Sequence, residues 1–349
     1  MIGIRADANN VIATGHVMRC ITIANALRKL GEDVIFITSD HGADALLAGE
    51  SFEHIVLNID WNTPDAESDR QREIIRKYDI CVMLIDSYLV NCEYIEEISK
   101  ECKVAYIDDL HEHIYPVDLL INYNGYCDNW NYVADYKNVF GHDKINTTKL
   151  LLGPMYAPLR EQFLEHNPRG GNGRQILLAA GGGDICRLMY GVLKNIANLQ
   201  DELLDTCDWH VVIGRYIENE GELLELAESM PNVTVHKNVS NMAELMSECD
   251  IAISAAGTML TECAVMRLAT IYAVTADNQR YDADYWCRNG AMIYAGDVTA
   301  DRDKTLGVIV SELRSLVFEK KRREDCAKKL ATITDGKGAQ RIAQALASL

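Results

Sequence analysis

The sequence predicts an α/β protein built from two doubly wound, parallel-sheet domains. Three observations carry this. Short apolar runs alternate with amphipathic stretches, each run ends in polar, acidic or glycine residues, and one Gly-rich polar segment interrupts two regions of the same rhythm. A chain of 349 residues has room for two cores. The expected first domain is 1–160, the linker 167–173, and the second domain 174–349 with a helical tail.

Met1 to Ile4 allows a short strand, after which Val17, Cys20, Ile21, Ala24 and Leu27 fall at helical spacing. Val34–Thr38, Ile80–Ile85 and Val104–Ile107 read as buried parallel strands, with amphipathic stretches at 16–30, 67–78 and 92–101. Beyond Asn167-Pro168-Arg169-Gly170-Gly171-Asn172-Gly173, strands are expected at Gln175–Ala180, 209–214, 233–236, 250–254 and 270–274. Helices are expected near 185–200, 219–229, 241–248, 258–267 and 279–289, then a helical tail from about 302 broken at Asp335-Gly336-Lys337-Gly338. Two such domains on a short linker imply a cleft lined by strand carboxyl ends.

The net charge of −18 argues against a nucleic-acid surface or stable membrane association, while leaving room for a small anion at a helix start. The 11 cysteines are scattered without Cys-x-x-Cys or Cys/His zinc spacing, so they read as reduced, mostly buried thiols of a cytoplasmic protein. The chain opens directly in a strand, so no signal peptide is expected. Neither a metal nor a cofactor is expected.

The most informative stretch runs from Arg5-Ala6-Asp7 through Asn10 to Thr14-Gly15-His16-Val17-Met18-Arg19. With Thr14 as N-cap, His16 falls in the first helical turn, at the carboxyl edge of a parallel sheet. The helix dipole there favours the neutral imidazole a general base requires. A surface histidine beside a helix start is the other reading, and the neighbours Arg5, Asp7, Gly15 and Arg19 favour function. Asp7, Asp86, Tyr88, Asp108 and Asp109 all end strands, where they can orient a histidine or simply cap turns.

In the second half, Gly181-Gly182-Gly183-Asp184 joins a strand to a helix, either to approach an anion or to make a tight turn. Ser254-Ala255-Ala256-Gly257-Thr258 follows an apolar strand, and its small residues are expected to leave amides open to a diphosphate. Glu262 lies one turn further on; it suits two ribose hydroxyls, or is an ordinary solvated helix carboxylate. Thr275-Ala276-Asp277-Asn278-Gln279 either bonds sugar hydroxyls or caps the next helix.

Taken in order, Arg5-x-Asp7, Gly15-His16-x-x-Arg19, Ile85-Asp86-x-Tyr88, Asp108-Asp109, Asn122-x-Asn124 and Gly153-Pro154-x-Tyr156-Ala157-x-Leu159-Arg160 resemble one family. Gly181–Asp184, Ser254-Ala255-Ala256-Gly257-Thr258-x-x-x-Glu262 and Asn278-Gln279 continue the match, which spans residues 2 to about 290. The family is the UDP-2,4-diacetamido-2,4,6-trideoxy-β-L-altropyranose hydrolases of pseudaminic acid biosynthesis, relatives of the glycosyltransferase that makes lipid II. The resemblance implies a GT-B architecture and metal-free hydrolysis of a UDP-amino-sugar by water, inverting the anomeric carbon. His16 is implied as base and Tyr88 as the group that positions sugar or water. Substrate or UDP contacts are implied for Arg5, Asp7, Gly15, Asp86, Asp109 and Asn124. The same set of substrate or UDP contacts includes Gly182, Gly183, Asp184, Val239, Ser254, Ala256, Gly257, Thr258, Glu262, Asn278 and Gln279, with UDP itself implied at the 181–184 turn, the 254–258 turn and Glu262. One departure is Ala13, where family members usually carry glycine. The rival readings are a glycosyltransferase with a soluble acceptor, since fold does not settle activity, and a non-catalytic nucleotide-sugar binder.

Overall fold

The computed structural model describes residues 1–9, 11–63, 67–167, 170–199, 204–214, 217 and 220–349, with 142–146 described by backbone only. Asn10 of the opening run, Pro168 and Arg169 of the expected linker, and positions 200 and 219 at expected helix ends lie outside the described residues.

The strands are β1 Ile2–Ala6, β2 Val34–Thr38, β3 Glu53–Val56, β4 Val82–Asp86, β5 Lys103–Ile107, β6 Leu119–Asn122, β7 Lys149–Leu152, β8 Gln175–Ala179, β9 Asp208–Ile213, β10 Val233–Lys237, β11 Ile251–Ala255, β12 Ala269–Val274 and β13 Ile293–Asp297. The helices are α1 Gly15–Lys29, α2 Asp44–Gly49, α3 Ser68–Lys77, α4 Cys92–Ser99, α5 Tyr132–Thr147, α6 Gln162–Glu165, α7 Leu188–Leu199, α8 Glu220–Glu228, α9 Met242–Ser247, α10 Met259–Val265, α11 Arg280–Asn289, α12 Arg302–Phe318, α13 Lys320–Ile333 and α14 Gly338–Ala347.

Two parallel sheets result, ordered β3-β2-β1-β4-β5-β6-β7 and β10-β9-β8-β11-β12-β13. The central strands read as largely apolar runs because helices cover both faces: β4 is buried at all five positions, as is β11. On one face of the first sheet, Ile4 and Leu84 pack with Val17, Cys20, Ala24 and Leu27 of α1. On the other, Met83 and Ile85 pack with Tyr94, Ile95 and Ile98 of α4. In the second sheet Ile176, Leu178, Ile251 and Ile253 pack with α7 and α12 through Leu188, Val192, Ile309 and Leu313. Strand order reverses between β1 and β4 and again between β8 and β11. In open α/β sheets ligands bind just beyond the carboxyl ends of the strands at such a reversal, which marks two places to look.

Contacts divide the chain into Met1–Arg160 with Gly336–Leu349, and Glu161–Asp335. This corrects two expectations. The last helix, expected with the second domain, belongs to the first: Ile342, Ala343 and Leu346 of α14 are fully buried in the core that contains Val17 and Ile21. Gly338 lets it dock, since a Cβ there would lie 2.1 Å from the carbonyl oxygen of Ala157. The segment expected as linker is also tied down. The N–H groups of Gly173, Arg174 and Gln175 donate to Asp250 Oδ2 at 2.9, 3.0 and 3.2 Å, so the described part of 170–173 sits with the second unit.

Candidate active site

At the β1/β4 reversal, α1 begins directly after the loop from β1 and presents His16 and, one turn on, Arg19. Thr14 holds the expected N-cap position, but its side chain makes no cap bond; its carbonyl accepts the Met18 amide at 2.9 Å. Ala13 adopts φ +57°, the left-handed region that favours glycine. Gly15 is exposed, with open space where a Cβ would stand.

The ends of β4, β5 and β6 supply the rest. His16 Nδ1 lies 2.6 Å from Asp86 Oδ1. Arg19 Nε donates to Asp86 Oδ2 at 2.6 Å and a second guanidinium nitrogen bonds Oδ1. Arg19 Nη1 reaches Asp109 Oδ2 at 2.7 Å and the Tyr123 hydroxyl. The Tyr88 hydroxyl donates to Asp109 Oδ2 at 2.8 Å, and Asn124 Nδ2 to Oδ1 at 2.7 Å. The rings of His16 and Tyr88 meet edge to face, centroids 4.6 Å apart. His16, Tyr88, Asp86, Asp109 and Asn124, separated in sequence, thus form one connected cluster.

Charge within the cluster follows from burial and pairing. Burial alone would raise the Asp86 carboxyl, but the Arg19 guanidinium overrides it and holds the group well below the usual carboxylate range. Asp86 is therefore an acceptor, and the bonding assigns the proton of a neutral His16 ring to Nδ1, leaving Nε2 with its lone pair. The 3.0 Å approach of Arg19 Nη2 to Nδ1 is then a contact of two donors, not a hydrogen bond. Burial and the Asp109 charge push the Tyr88 phenol above its ordinary value, so it stays a donor.

Arg5 and Asp7, expected to touch substrate, do not present themselves. They are 2% and 4% exposed and spent on a structural network. Arg5 donates to Glu67 Oε1 at 2.7 Å and Asp7 Oδ2 at 2.6 Å, while Asp7 Oδ1 accepts the Ser39 amide at 2.7 Å. Tyr94 and Gln71 complete the shell around Glu67. Sequence reading missed Glu67, which looked like any acidic residue of an amphipathic stretch. Asp108 is likewise internal, accepting from the Tyr132 hydroxyl at 2.7 Å and the His111 amide at 2.8 Å.

At the β8/β11 reversal, Gly181 takes φ +80° and the turn is backed by Gly214, where a Cβ would fall 2.3 Å from the Gly181 carbonyl oxygen. Gly182 is exposed and Gly183 half-buried. Asp184, expected at UDP, instead caps α7: its carboxylate accepts the Leu188 and Met189 amides at 2.6 and 2.9 Å. Ser254, Ala256 and Gly257 also depart from expectation. The Ser254 hydroxyl is buried and donates to the Ala255 carbonyl, and the Ala256 and Gly257 amides bond Ala273 and Ala255 carbonyls at 2.9 Å. The turn is too tight to leave those two amides for a ligand. Gln279 Oε1 accepts the Thr275 amide at 2.9 Å, a cap of its own turn. Thr258 and Asn278 remain exposed, and Glu262 and Val239 half-buried. Gly214, which shapes the glycine turn, was the missed residue here; a glycine closing a predicted strand was its only signal.

Among the described residues no group of three or more His, Cys, Asp or Glu side chains is arranged to hold a metal ion, and no helix is long and apolar enough to cross a membrane.

A family model described as "Protein of unknown function (DUF354)" matches residues 188–332. The chain is 25% identical to the uncharacterized protein MJ1062 of Methanocaldococcus jannaschii over 301 residues, 81% of this chain but only 58% of that protein. It is 24% identical to the spore coat polysaccharide biosynthesis protein SpsG of Bacillus subtilis, across 100% of this chain and 98% of SpsG. The fold is similar to that of Acinetobacter baumannii MurG, with TM-score 0.69 and 13% identity over 100% of this chain and 99% of that one. Two parallel-sheet α/β domains with this likeness make the fold GT-B, as the sequence resemblance implied.

Proposed function

We propose that the chain hydrolyses a nucleoside diphosphate sugar, with UDP-2,4-diacetamido-2,4,6-trideoxy-β-L-altropyranose as the substrate suggested by its sequence motifs. The observation that carries this is the His16–Asp86 pair: a nearly buried imidazole whose Nδ1 lies 2.6 Å from a carboxylate that Arg19 keeps ionised. Such a ring takes a proton from water at Nε2 while the water oxygen attacks the anomeric carbon. The bond from that carbon to the diphosphate oxygen breaks, UDP leaves, and attack from the opposite face inverts the configuration. Asp86 then stabilises the imidazolium without taking its proton. Tyr88, beside the ring and bonded to Asp109, is proposed to orient sugar or water, with Asp109 and Asn124 on the sugar hydroxyls or amides.

The nucleotide is proposed to lie on the Gly181–Gly183 turn, Thr258, Glu262 and Asn278, with Val239 near the base. The SpsG likeness supports a role in polysaccharide precursor chemistry, and the GT-B fold supports a nucleotide-sugar ligand. The test is incubation of the protein with that UDP-sugar and EDTA, followed by proton and phosphorus NMR. UDP and free sugar of inverted configuration are expected. UDP release only after a hydroxylated acceptor is added would replace hydrolysis with transfer; binding without release would leave a nucleotide-sugar binder.

A further inference from the structure

We propose that Arg19 is a positioning residue that keeps the His16 imidazole neutral and ties Tyr88 to the same frame, by spanning Asp86 and Asp109 with one guanidinium. The groups facing the ring are few and can be named. From α1 come Arg19 and, through Asp86, the buried thiol of Cys20 at 3.5 Å. From β4 and the loop after it come Asp86 and Tyr88, which touch the ring; through Arg19, from the end of β5 comes Asp109 and from the end of β6 Tyr123. Only Asp86, Asp109 and Arg19 carry fixed charge among these. The side chains of Asp86 and Asp109 are 0% and 7% exposed, that of Arg19 13%. Two such carboxylates without a cation would draw the nearest available proton onto an adjacent basic group, and at 2.6 Å from Asp86 that group is His16. A protonated ring is no base. Arg19 supplies the positive charge instead, so a carboxylate can orient the imidazole without protonating it.

The planar fork matters as well as the charge. Nε and Nη2 grip Asp86 side-on, while Nη1 is left to bond Asp109, the acceptor of the Tyr88 hydroxyl. One residue therefore fixes both the acceptor of the histidine proton and the acceptor of the tyrosine proton. This inference rests on the hydrolytic reading only for the use made of the ring; the protonation claim stands apart from any turnover.

The experiment is a pH titration of 15N-histidine protein by NMR, with the His16 signal assigned by its loss in His16→Asn. In Arg19→Gln the His16 midpoint is expected to move about 1 pH unit or more to the alkaline side. The acid limb of kcat/KM should move with it. Arg19→Lys should restore the midpoint but not full kcat, because an ammonium lacks the fork. An unmoved midpoint in folded Arg19→Gln overturns the proposal. Should that variant fail to fold, Asp109→Asn gives the converse test: loss of a carboxylate must move the midpoint to the acid side, and no movement sinks the idea. Absence of hydrolysis by the native chain would refute the function proposed above while leaving this titration intact.

Discussion

His16 Nδ1 and Asp86 Oδ1 lie 2.6 Å apart although 70 residues separate them. The parallel pairing of β1 with β4, Ala6 opposite Asp86, brings them together: α1 follows β1 after the loop 7–14, and Asp86 is the last residue of β4. The dyad is thus a product of strand order.

Replacing His16 with Asn removes the open lone pair at Nε2 and nothing that holds the core. The expected result is a fall in kcat of about 10²–10⁴-fold, the usual worth of general base catalysis, with UDP affinity by calorimetry unchanged. Turnover that survives the substitution would remove His16 from the chemistry.

Asp86→Asn tests the acceptor. It leaves Arg19 facing an amide in a buried site, so stability should fall by roughly 3 kcal/mol in urea unfolding. The pH dependence has a definite sign. The Asp86 carboxyl lies below its unfolded value, held there by Arg19 against burial. Its stabilisation is therefore fully present above the ordinary carboxylate range, about pH 3.9, and is lost as pH falls toward the depressed folded value. The gap between native and variant should be flat above about pH 5 and narrow below about pH 4. A gap that widens in acid would mean that Asp86 is not ionised in the native state.

Much of this was legible in the sequence, for identifiable reasons. β1, β2, β4 and β5 announce themselves because most of each strand is buried and its run of apolar residues is broken only by Gly3 and Arg5 in β1 and by polar or charged residues at the ends of the others. β3 did not, since its Glu53 is exposed and the other three positions are only half-buried at a sheet edge. β6 and β7 escaped because four residues give too short a run, and β13 because glycine and aspartate close it. At the sites, position was readable and partnership was not. Asp7 and Asp86 both end strands, yet one is consumed by Ser39 and Arg5 while the other meets His16. Which carboxylate meets the histidine depends on pairings across 32 and 70 residues, and local pattern carries no record of them. The same holds for Ser254 and Asp184, whose bonding groups are spent on nearby backbone.

Ala13 should yield to glycine. Its φ of +57° costs an L-residue about 1–2 kcal/mol, and glycine gives back roughly 0.5–1 kcal/mol in unfolded-state entropy. Ala13→Gly is therefore expected to stabilise the chain slightly, by about 0.5–1 kcal/mol, with His16 still in place and kcat retained. A loss of stability would show that the loop is not held in this conformation.

Two substitutions separate shape from contact in the second unit. A methyl group at Gly214 would meet the Gly181 and Gly182 carbonyl oxygens at 2.3 and 2.6 Å, so Gly214→Ala must displace the turn. It should cost about 1–3 kcal/mol of stability and weaken UDP binding together. Glu262→Ala, on a half-buried helix position, should weaken UDP binding more than it lowers stability. Calorimetry with UDP and a denaturant curve on each variant separate the cases. Unchanged UDP affinity in both would move the nucleotide elsewhere.

The final helix offers the sharpest check on the division of the chain. Leu346 is fully buried, in one core cluster with Ile342, Val17 and Ile21, and Arg341 donates to the Met155 carbonyl at 3.0 Å. Leu346→Ala removes three carbons from a closed core and should destabilise by about 2–5 kcal/mol. Because α14 belongs with 1–160, the loss should appear in the first unit's unfolding, reported by slowed-exchange amides of β1 and α1 in hydrogen-exchange measurements. Amides of β8 and β11 should keep their protection. Had α14 packed as a tail of the second domain, the same substitution would loosen β8 and β11 and leave β1 and α1 untouched.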